Sequence, residues 1–469
     1  MSSRPATLGQ LRESGWTSVP VKEEVRRNAI RRISSGDPIV EGLVGYDETV
    51  LPQLENALLA GHDIILLGER GQAKTRIIRS LTSLLDEWIP IVAGSEILDD
   101  PYHPVSRHSR DLVATQGDDT PIAWVHRDDR FGEKLATPDT SIADLIGEVD
   151  PIKVAEGRYL SDELTLHYGL VPRTNRGIFA INELPDLAER IQVGLLNVLE
   201  ERDVQIRGYK IRLPLDVMLV ASANPEDYTN RGRIITPLKD RFGAQIRTHY
   251  PLDVATEMEV MRQESAPAQP DGMRVEVPDH IAEIVATLTQ LARQSPHINQ
   301  RSGVSVRLSV ANYETVVASS VRRALRLGEA EAVPRISDLD ALAASTSGKV
   351  EIETIDESRD GHVVERLVQQ AVLTVFKTTV PPEQLRSAAG DFDAGEVIHT
   401  GDDIPSARFV EALAKFPSLR ELVAVLPGTP GSESAGAVAS ATEFVLEGLH
   451  LAKRLNKDAA GSRATYRAR

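Results

Sequence analysis

The sequence predicts an α/β fold in which a parallel sheet flanked by helices is followed by an all-helical region. From Leu43 to about Pro251, short apolar runs alternate with longer helical patterns, as in βαβ units. Early in this part, a glycine-containing stretch at 68–75 lies between an apolar run and an amphipathic helix. From about Leu252 the strand-like runs largely stop, and apolar residues recur at the three- and four-residue spacing of helices.

Composition narrows the class of protein. A chain of 469 residues, 41% hydrophobic and 4% aromatic, can bury ordinary cores and should form about two or three domains. The absence of cysteine excludes disulfides, thiolate zinc sites, iron–sulfur clusters and a cysteine nucleophile, and it favours a cytoplasmic location. The formal charge of −16 argues against a dedicated nucleic-acid binder, although a local basic channel stays open as an alternative.

The sequence shows no targeting or membrane signal. Its start, MSSRPATLGQLRES, lacks the apolar segment of a signal peptide. Apolar runs such as DIILLG and VMLVASA are far shorter than the roughly 20 residues that a membrane span needs. We therefore expect no membrane span.

Changes in pattern divide the chain into five segments. They are an N-terminal arm (1–41), an α/β core with insertions (42–251), a helical lid (252–380), a C-terminal helical region (381–458) and a disordered basic tail (459–469). The arm contains one helix-like stretch, VKEEVRRNAIRRI, and the Gly- and Asp-rich piece 381–403 is typical of a linker or loose loop. The helices predicted after the core are Val254–Glu264, His280–Arg293, Val306–Leu327, Ile336–Ser345, His362–Lys377, Ser406–Val425 and Val438–Leu455.

The stretch GERGQAKT follows the pattern G-x-x-x-x-G-K-[ST] of a phosphate-binding loop, apart from its alanine. The apolar run Asp63–Leu67 precedes it as a buried strand would, and Thr75–Leu85 follows with helical spacing. Backbone N–H groups of such a loop hold nucleotide phosphates. The residues predicted to bind the nucleotide are Gly68, Glu69, Arg70, Gly71, Gln72, Ala73, Lys74 and Thr75.

Three residues of this loop have individual roles. Lys74 would neutralise phosphate charge, and the Thr75 hydroxyl would ligate Mg²⁺. Ala73 stands where the pattern has its last glycine, whose main use is to permit close backbone approach, and alanine is the smallest possible addition. We therefore expect a working loop that binds ATP with Mg²⁺. A glycine turn with a chance lysine is the structural alternative.

A second apolar strand, Gly177–Asn182, ends at polar side chains of the kind that a nucleotide hydrolase needs. Glu183 follows it and is placed to activate water. Asn182 stands where an aspartate would normally support Mg²⁺, and its amide can hydrogen-bond the hydration shell without adding charge. We therefore expect the asparagine to weaken metal binding or to slow turnover. A strand that ends on two polar residues by chance is the alternative.

A third strand, Asp216–Ala223, is followed by Asn224, whose amide could reach the γ-phosphate or the attacking water. Ligands bind outside the carboxyl ends of the strands in open parallel sheets. The sequence therefore predicts that the ends of the three strands converge on one site.

The run from about Gly42 to Arg307 resembles an AAA+ ATPase of the clade that contains the magnesium chelatase ATPase subunit and the MoxR-type chaperones. GERGQAKT resembles the alanine-bearing phosphate loop of MoxR-type members. The block VPRTNRGIFAINELPDLAERIQVGLLNVLEERDVQIRG resembles the chelatase-type region in which a core helix follows the acidic strand and leads to a hairpin. ASANPEDYTNRGRIITPLKDRFG resembles the sensor-1 and arginine-finger block. The motifs occur in the family's order.

The resemblance implies roles for further residues. Asn224 corresponds to sensor 1, and Arg241 to the arginine finger that reaches into the next subunit's site, with Arg231 and Arg233 as weaker candidates. Arg307 in GVSVRLSVANYE resembles the sensor-2 arginine of the lid. The asparagine at 182 departs from the family, which normally has aspartate there.

Two stretches resemble the insertions with which this clade decorates its core: 88–150, and LIGEVDPIKVAEGRYLSDELTLHYGLV after it, whose tip could contact a partner or substrate. The first holds several potential metal ligands, whose spacing matches no metal-site signature and is typical of solvated loops. They are His103, His108, Asp99, Asp100, Asp128 and Asp129.

The family implies a ring-forming ATPase, a homo-oligomer of six copies, that hydrolyses ATP between subunits and remodels a protein partner or drives metal insertion. It also implies a separate partner with a von Willebrand factor A domain. A genuine magnesium chelatase subunit acting on protoporphyrin is one alternative. A nucleic-acid motor is another, since RDVQIRGYKIRL is basic, and Asn182 raises a third, a weakly hydrolysing ATP-binding scaffold.

Overall fold

The computed structural model describes residues 4–149, 165–197, 203–206, 209–224, 233–299, 303–352, 360–393, 395–426, 434–461 and 463–469. The chain divides into two compact units, Met1–His249 and Tyr250–Arg469. The boundary predicted from the sequence, between residues 251 and 252, lies two residues later. Each unit is described below by itself.

The first unit combines helices with a central sheet. Its helices are α1 (Leu8–Glu13), α2 (Val21–Ser35), α3 (Val50–Ala60), α4 (Lys74–Ser80), α5 (Arg107–Gln116), α6 (Ile142–Leu145), α7 (Leu170–Arg173), α8 (Glu189–Leu196) and α9 (Thr236–Arg241). Its strands are β1 (Ile64–Leu67), β2 (Trp88–Val92), β3 (Ile122–His126), β4 (Phe131–Leu135), β5 (Gly147–Val149), β6 (Leu166–Tyr168), β7 (Gly177–Asn182), β8 (Asp203–Ile206), β9 (Tyr209–Arg212), β10 (Val217–Ala223) and β11 (Ala244–Arg247).

Five of these strands form a parallel sheet in the order β11-β1-β10-β7-β4. The three strands predicted to carry the site are therefore neighbours. Leu67 lies opposite Ala223, and Ile181 lies opposite Ala221, so the three carboxyl ends are in register. The short pairs β2-β3, β5-β6 and β8-β9 are antiparallel.

Both faces of the sheet are buried, which explains the continuous apolar runs of its strands. Alternate residues such as Leu66, Ala180 and Val220 pack toward α2, α3 and α4, in one apolar cluster. The residues between them, such as Phe179 and Leu219, pack in a second cluster on the other face. The α/β fold with helices on both faces of a parallel sheet confirms the predicted fold class.

The N-terminal segment is not a separate arm. Helix α2 matches the predicted stretch, and its residues Val21, Val25 and Ala29 are at most 1% exposed within the cluster that covers the sheet. On the same helix, the buried carboxylate of Glu24 accepts hydrogen bonds at 2.8 and 2.7 Å from the guanidinium of Arg130, which is 1% exposed. The apolar spacing of α2 and this ion pair make the segment part of the core.

Part of the predicted insertion 88–150 also belongs to the core. Strand β4 lies within it and pairs with β7 as the edge of the central sheet. The sequence did not mark this strand because FGEKL carries apolar side chains only at Phe131 and Leu135, as suits an edge position. The tip of the following insertion and Arg231 lie outside the described residues.

The second unit is mainly helical. Its helices are α10 (Val254–Glu264), α11 (Asp279–Gln294), α12 (Arg307–Leu327), α13 (Leu342–Ser347), α14 (Asp360–Thr379), α15 (Gln384–Gly390), α16 (Ser406–Leu413), α17 (Pro417–Ala424) and α18 (Ala435–Leu451). Its strands are β12 (Arg274–Val275), β13 (Glu331–Ala332), β14 (Ile398–Gly401), β15 (Leu455–Ala460) and β16 (Arg463–Ala468). No helix in the described ranges is long and apolar enough to cross a membrane.

Three expectations for this unit are corrected. The tail 459–469 is not disordered, because β16 pairs with both β14 and β15 in a three-stranded antiparallel sheet and buries Tyr466 to 2% exposure. The piece 381–403 is not a loose loop, since it contains α15 and β14. The proposed division at 380 has no counterpart in the packing, because one apolar cluster runs from Met261 to Tyr466.

Replacing Glu24 by alanine should strongly destabilise the first unit, because Arg130 would remain buried without its carboxylate partner. We expect the free energy of unfolding to fall by roughly 3–5 kcal/mol. All three tryptophans, Trp16, Trp88 and Trp124, lie in this unit, so urea unfolding followed by tryptophan fluorescence reports on it.

The matched control is Glu23→Ala, one position earlier on the same helix. Its ion pair with Arg26 is solvent-exposed, and its loss should cost at most about 1 kcal/mol. Equal effects of the two substitutions would contradict a special role for the buried pair.

Acid should destabilise the second unit through His280. Burial lowers the pKa of His280 to about 4, against the opposing effect of Asp279, and its ring stacks on Phe444. The unfolded chain binds a proton below about pH 6.5 while the folded chain does not, so the free energy of unfolding should fall by about 2 kcal/mol between pH 7 and 5. Urea unfolding followed by far-UV circular dichroism at both pH values measures the slope. His280→Gln should flatten it, and an unchanged slope would contradict the assignment.

Candidate nucleotide-binding site

The candidate site lies at the carboxyl ends of β1, β10 and β7. The loop 68–73 leaves β1, and the N–H of Gly68 donates to the carbonyl of Ala223 at the end of β10 over 3.1 Å. Lys74 then begins α4. The loop is thus tied to the neighbouring strand before the helix starts, as a strand–loop–helix phosphate site requires.

The ammonium group of Lys74 joins the loop to the end of β10. Its Nζ donates to the carbonyl oxygens of Gly68 and Glu69 at 2.5 and 2.7 Å, and to Oδ1 of Asn224 at 3.0 Å. Lys74 is only 9% exposed. These three acceptors are neutral, so an anionic phosphate would bind the ammonium more strongly than they do. The structure thus brings Lys74 and Asn224 together, as the sequence predicted.

A side-chain brace fixes the start of the loop. Oε1 of Gln72 accepts hydrogen bonds from the N–H of Glu69 at 3.0 Å and from Oγ1 of Thr248 at 2.8 Å. A Cβ atom on Gly68 would lie 1.9 Å from that Oγ1 and 2.2 Å from Oε1 of Gln72. Only glycine therefore fits at 68, because the brace passes so close to the backbone.

Tyr46 holds the loop from the other side. Its hydroxyl lies 2.7 Å from the carbonyl oxygen of His249 and 3.1 Å from that of Gln72, and its ring packs edge-on against the His249 ring. Burial raises the pKa of Tyr46 to about 12, so the phenol stays a neutral donor at physiological pH. Sequence reasoning missed Tyr46, Thr248 and His249, since no local pattern connects residues about 200 positions apart.

Ala73 adopts a left-handed conformation, with φ 54° and ψ 12°. The glycine of the general pattern is therefore favoured here for its backbone freedom, and not only for close approach as expected from the sequence. A residue with a Cβ pays about 1–2 kcal/mol for this conformation. The chain bears that strain where the loop turns into α4.

Asn182 lies at the end of β7 with both ends of its amide engaged. Its Oδ1 accepts from the hydroxyl of Ser222 at 3.1 Å, and its Nδ2 donates to Oε1 of Glu133 at 2.6 Å. Arg79 on α4 donates to both carboxylate oxygens of Glu133, at 2.8 and 3.2 Å. The site therefore contains a carboxylate, Glu133 on β4, that sequence reasoning did not single out.

Glu183 follows Asn182 in a second left-handed conformation, with φ 55° and ψ 46°. Its N–H donates to the hydroxyl of Ser222 over 3.2 Å, so one serine orients both polar residues at the end of β7. Strained non-glycine residues of this kind concentrate at functional sites. Glu183 is thus held at the carboxyl end of β7 by its backbone geometry and by Ser222.

The side chains at this edge suit a magnesium ion. Mg²⁺ prefers oxygen ligands and keeps several waters. The hydroxyl of Thr75 is exposed at the start of α4. The amide oxygen of Asn182 and the carboxylate of Glu183 lie at the end of β7, and the carboxylate of Glu133 lies within β4, beside Asn182. All four are hard oxygen donors, so the residues present fit the ion.

A cavity of about 370 Å³ opens beside the loop. Its lining includes Gly68 and Glu69 of the loop and the cationic residues Lys239 and Arg247. The volume falls within the usual range for small-molecule sites. Its positive charge suits a phosphorylated ligand.

Arg241 lies near the amino end of β1, whereas the phosphate loop follows the carboxyl end of that strand. It ends α9, and its Nε is 3.7 Å from Oδ2 of Asp63, which precedes β1. The five steps from Asp63 to Gly68 span roughly 16 Å of extended chain. Arg233, a weaker candidate, has an exposed side chain, and its carbonyl accepts from Gln192.

Arg307 is the first residue of α12 in the second unit. Its side chain is exposed, and its N–H donates to the hydroxyl of Ser305 at 3.1 Å. Its sensor-2 role stays a prediction.

The carboxylate of Asp99 is an anchor for its own loop. It accepts hydrogen bonds from the N–H groups of Val105 and Ser106 and from the hydroxyls of Ser95, Ser106 and Ser109. Within the described ranges, no group of three His, Cys, Asp or Glu side chains could hold a metal ion. The buried Asp99 therefore serves the fold of this segment.

Ala73→Gly should stabilise the first unit by about 1 kcal/mol, because it removes the strain of a left-handed alanine. Urea unfolding followed by tryptophan fluorescence measures the change. The control Ala114→Gly, at an exposed position within α5, should instead destabilise by roughly 0.5–1 kcal/mol. A destabilised Ala73→Gly variant would contradict the strain.

Three comparisons with known proteins bear on identity. A family model described as the Sigma-54 interaction domain matches residues 156–241. The magnesium-chelatase 38 kDa subunit of Cereibacter sphaeroides is 26% identical over 331 residues, which are 66% of this chain and 90% of that protein. Magnesium-chelatase subunit ChlI of Nostoc sp. is 29% identical over 48% of this chain, which spans 57% of that relative's length.

One solved structure, a cryo-EM-based model of the complex between subunits BchI and BchD of magnesium chelatase, aligns at 22% identity with a TM-score of 0.35. It covers 71% of this chain and 98% of that chain. The assignment rests on the sequence relatives together with the parallel sheet, the phosphate loop and the strand ends described above. The chain is an AAA+ ATPase related to the magnesium chelatase subunits.

Proposed function

We propose that this protein forms a ring of six copies, hydrolyses ATP to ADP and phosphate between neighbouring copies, and uses the cycle to remodel a protein partner or to assist metal insertion. The hydrogen bonding of Lys74 is the observation that carries the nucleotide-binding part of this proposal. Its ammonium is buried at the mouth of a loop whose brace leaves no room for a side chain at 68. A phosphate chain is the ligand that best fits this arrangement.

In this proposal the residues at the strand ends divide the work. Residues 68–75 hold the phosphates, and the Thr75 hydroxyl with the Asn182 amide supports Mg²⁺, which would neutralise charge on the phosphates. Glu183 orients and deprotonates the attacking water. Asn224, already hydrogen-bonded to Lys74, senses the γ-phosphate.

The position of Arg241 supports hydrolysis between copies. It pairs with Asp63 at the amino end of β1, about a strand length from the loop of its own chain. An arginine finger at this place would therefore act on the site of a neighbouring copy. Such an arrangement makes turnover depend on assembly.

The partner is proposed from the relatives, whose names describe subunits of a magnesium chelatase. We propose that this chain also works with a separate protein, one with a von Willebrand factor A domain. A role as a genuine chelatase subunit is the second candidate, favoured by coverage of nine-tenths of the Cereibacter relative. A weakly hydrolysing scaffold is the third, favoured by the asparagine at 182.

Steady-state ATP hydrolysis tests the proposal. Turnover per chain should rise with protein concentration, and Lys74→Ala should abolish nucleotide binding. Glu183→Gln should keep binding but lower turnover by about 10²- to 10⁴-fold. Wild-type turnover no higher than that of Glu183→Gln would contradict the motor and favour the scaffold.

Mixing variants tests the finger. Arg241→Ala alone should lower turnover by about 10³-fold or more while ATP affinity is kept. Mixed in equal amounts with Glu183→Gln, it should regain activity, because roughly a quarter of the interfaces would combine an intact Glu183 with an intact Arg241. No recovery in mixed rings would contradict action between copies.

A further inference from the structure

Asn182 leaves the proposed magnesium site one negative charge short, since an amide is neutral where an aspartate would carry a charge. Hydrogen bonds to neighbouring side chains also fix the orientation of the Asn182 amide. Ser222 donates to its oxygen, so its Nδ2 faces β4 and donates to Glu133. An aspartate in the same place would offer an acceptor to Glu133 in place of this donor, and the two carboxylates would repel each other.

Glu133 lies on the side of the sheet where the phosphate loop begins its helix. It is opposite Ala180 in the register of β4 with β7, and Ala180 and Asn182 point to the same face because side chains alternate along a strand. This is the face that packs against α4. The side chain of Glu133 is 21% exposed, so it can meet water and a hydrated ion.

Arg79 holds Glu133 against α4. It donates to both carboxylate oxygens, and this pairing raises the pKa of Arg79. Arg79 is four positions after Thr75, so the two side chains share one face of the helix. The carboxylate is therefore fixed on the same helix face as the proposed magnesium ligand. Arg79 itself is 64% exposed, so water screens its charge.

We propose that Glu133 supplies the negative charge that Asn182 lacks and supports, through water, the magnesium ion of a bound nucleotide. The negative charge of the site is thus carried by Glu133 on β4, and not by a residue at the end of the neighbouring strand β7. Asn182 positions the Glu133 carboxylate through the hydrogen bond at 2.6 Å. This inference rests on the proposed nucleotide site. It assigns Glu133 a role that neither a motif nor a strand-end position indicated.

The test is the gain in nucleotide affinity that magnesium provides. Binding of a fluorescent N-methylanthraniloyl derivative of ADP is measured in excess MgCl₂ and in EDTA, and the ratio of the two dissociation constants is the gain. Glu133→Gln should lower this gain by about tenfold, as expected for loss of one charge acting through water. Affinity in EDTA should stay unchanged, because the loop and Lys74 are untouched.

Two variants separate this role from a structural one. Arg79→Gln removes the ion pair but keeps the carboxylate, so it should keep or increase the magnesium gain. Asn182→Asp in the Glu133→Gln background returns a carboxylate to the usual place and should restore the gain. Glu96→Gln changes an exposed carboxylate of the same unit and should change nothing.

The outcomes distinguish this inference from the function it rests on. Equal losses in Arg79→Gln and Glu133→Gln would show that only the ion pair matters, and an unchanged gain in Glu133→Gln would likewise overturn the proposal while leaving the nucleotide site intact. No nucleotide binding by the wild type in either buffer would overturn the proposed function itself.

Discussion

The buried ion pair between Glu24 and Arg130 is the constraint on which the site depends. Arg130 directly precedes β4, and its guanidinium also donates to the carbonyl of Arg176, directly before β7, at 2.9 and 2.5 Å. The pair therefore fixes the two strands against each other and ties both to α2. A Cβ on Gly177 would lie 2.0 Å from the carbonyl oxygen of Arg130, so the strands could not approach this closely with any other residue there. The register that sets Glu133 beside Asn182 follows from this contact.

At the carboxyl ends of the strands, hydrogen bonds hold two strained backbone conformations in place. Ala73 and Glu183 both adopt left-handed conformations, which cost free energy that the surrounding packing must supply. Ser222 and Gln72 supply part of it by binding backbone N–H groups on either side of the site. The result is a loop and a strand end whose shapes are set before any ligand binds, which lowers the entropy that binding would otherwise cost.

The sequence was most informative where chemistry is local. The phosphate loop, the strands leading to Glu183 and Asn224, and helix Val254–Glu264 were predicted from neighbouring residues, and the helix bounds agree with the structure. Ser406–Val425 was predicted as one helix, but Phe416 before Pro417 takes an extended φ of −124° and divides it, because proline disfavours a helical residue before it. Long-range features were out of reach: the bonds of Tyr46 to the residues around His249 and the place of Glu133 at the sheet edge depend on topology.

The brace of the phosphate loop has a consequence for folding kinetics. Thr248 and Gln72 are 176 positions apart, and Tyr46 and His249 are 203 apart, so these contacts close very long chain segments. Contacts of such high sequence separation carry a large loop-closure entropy and form late or limit the rate. The loop should therefore gain its final shape only when β11 has joined the sheet, so capture of a nucleotide would mark a first unit that has completed folding.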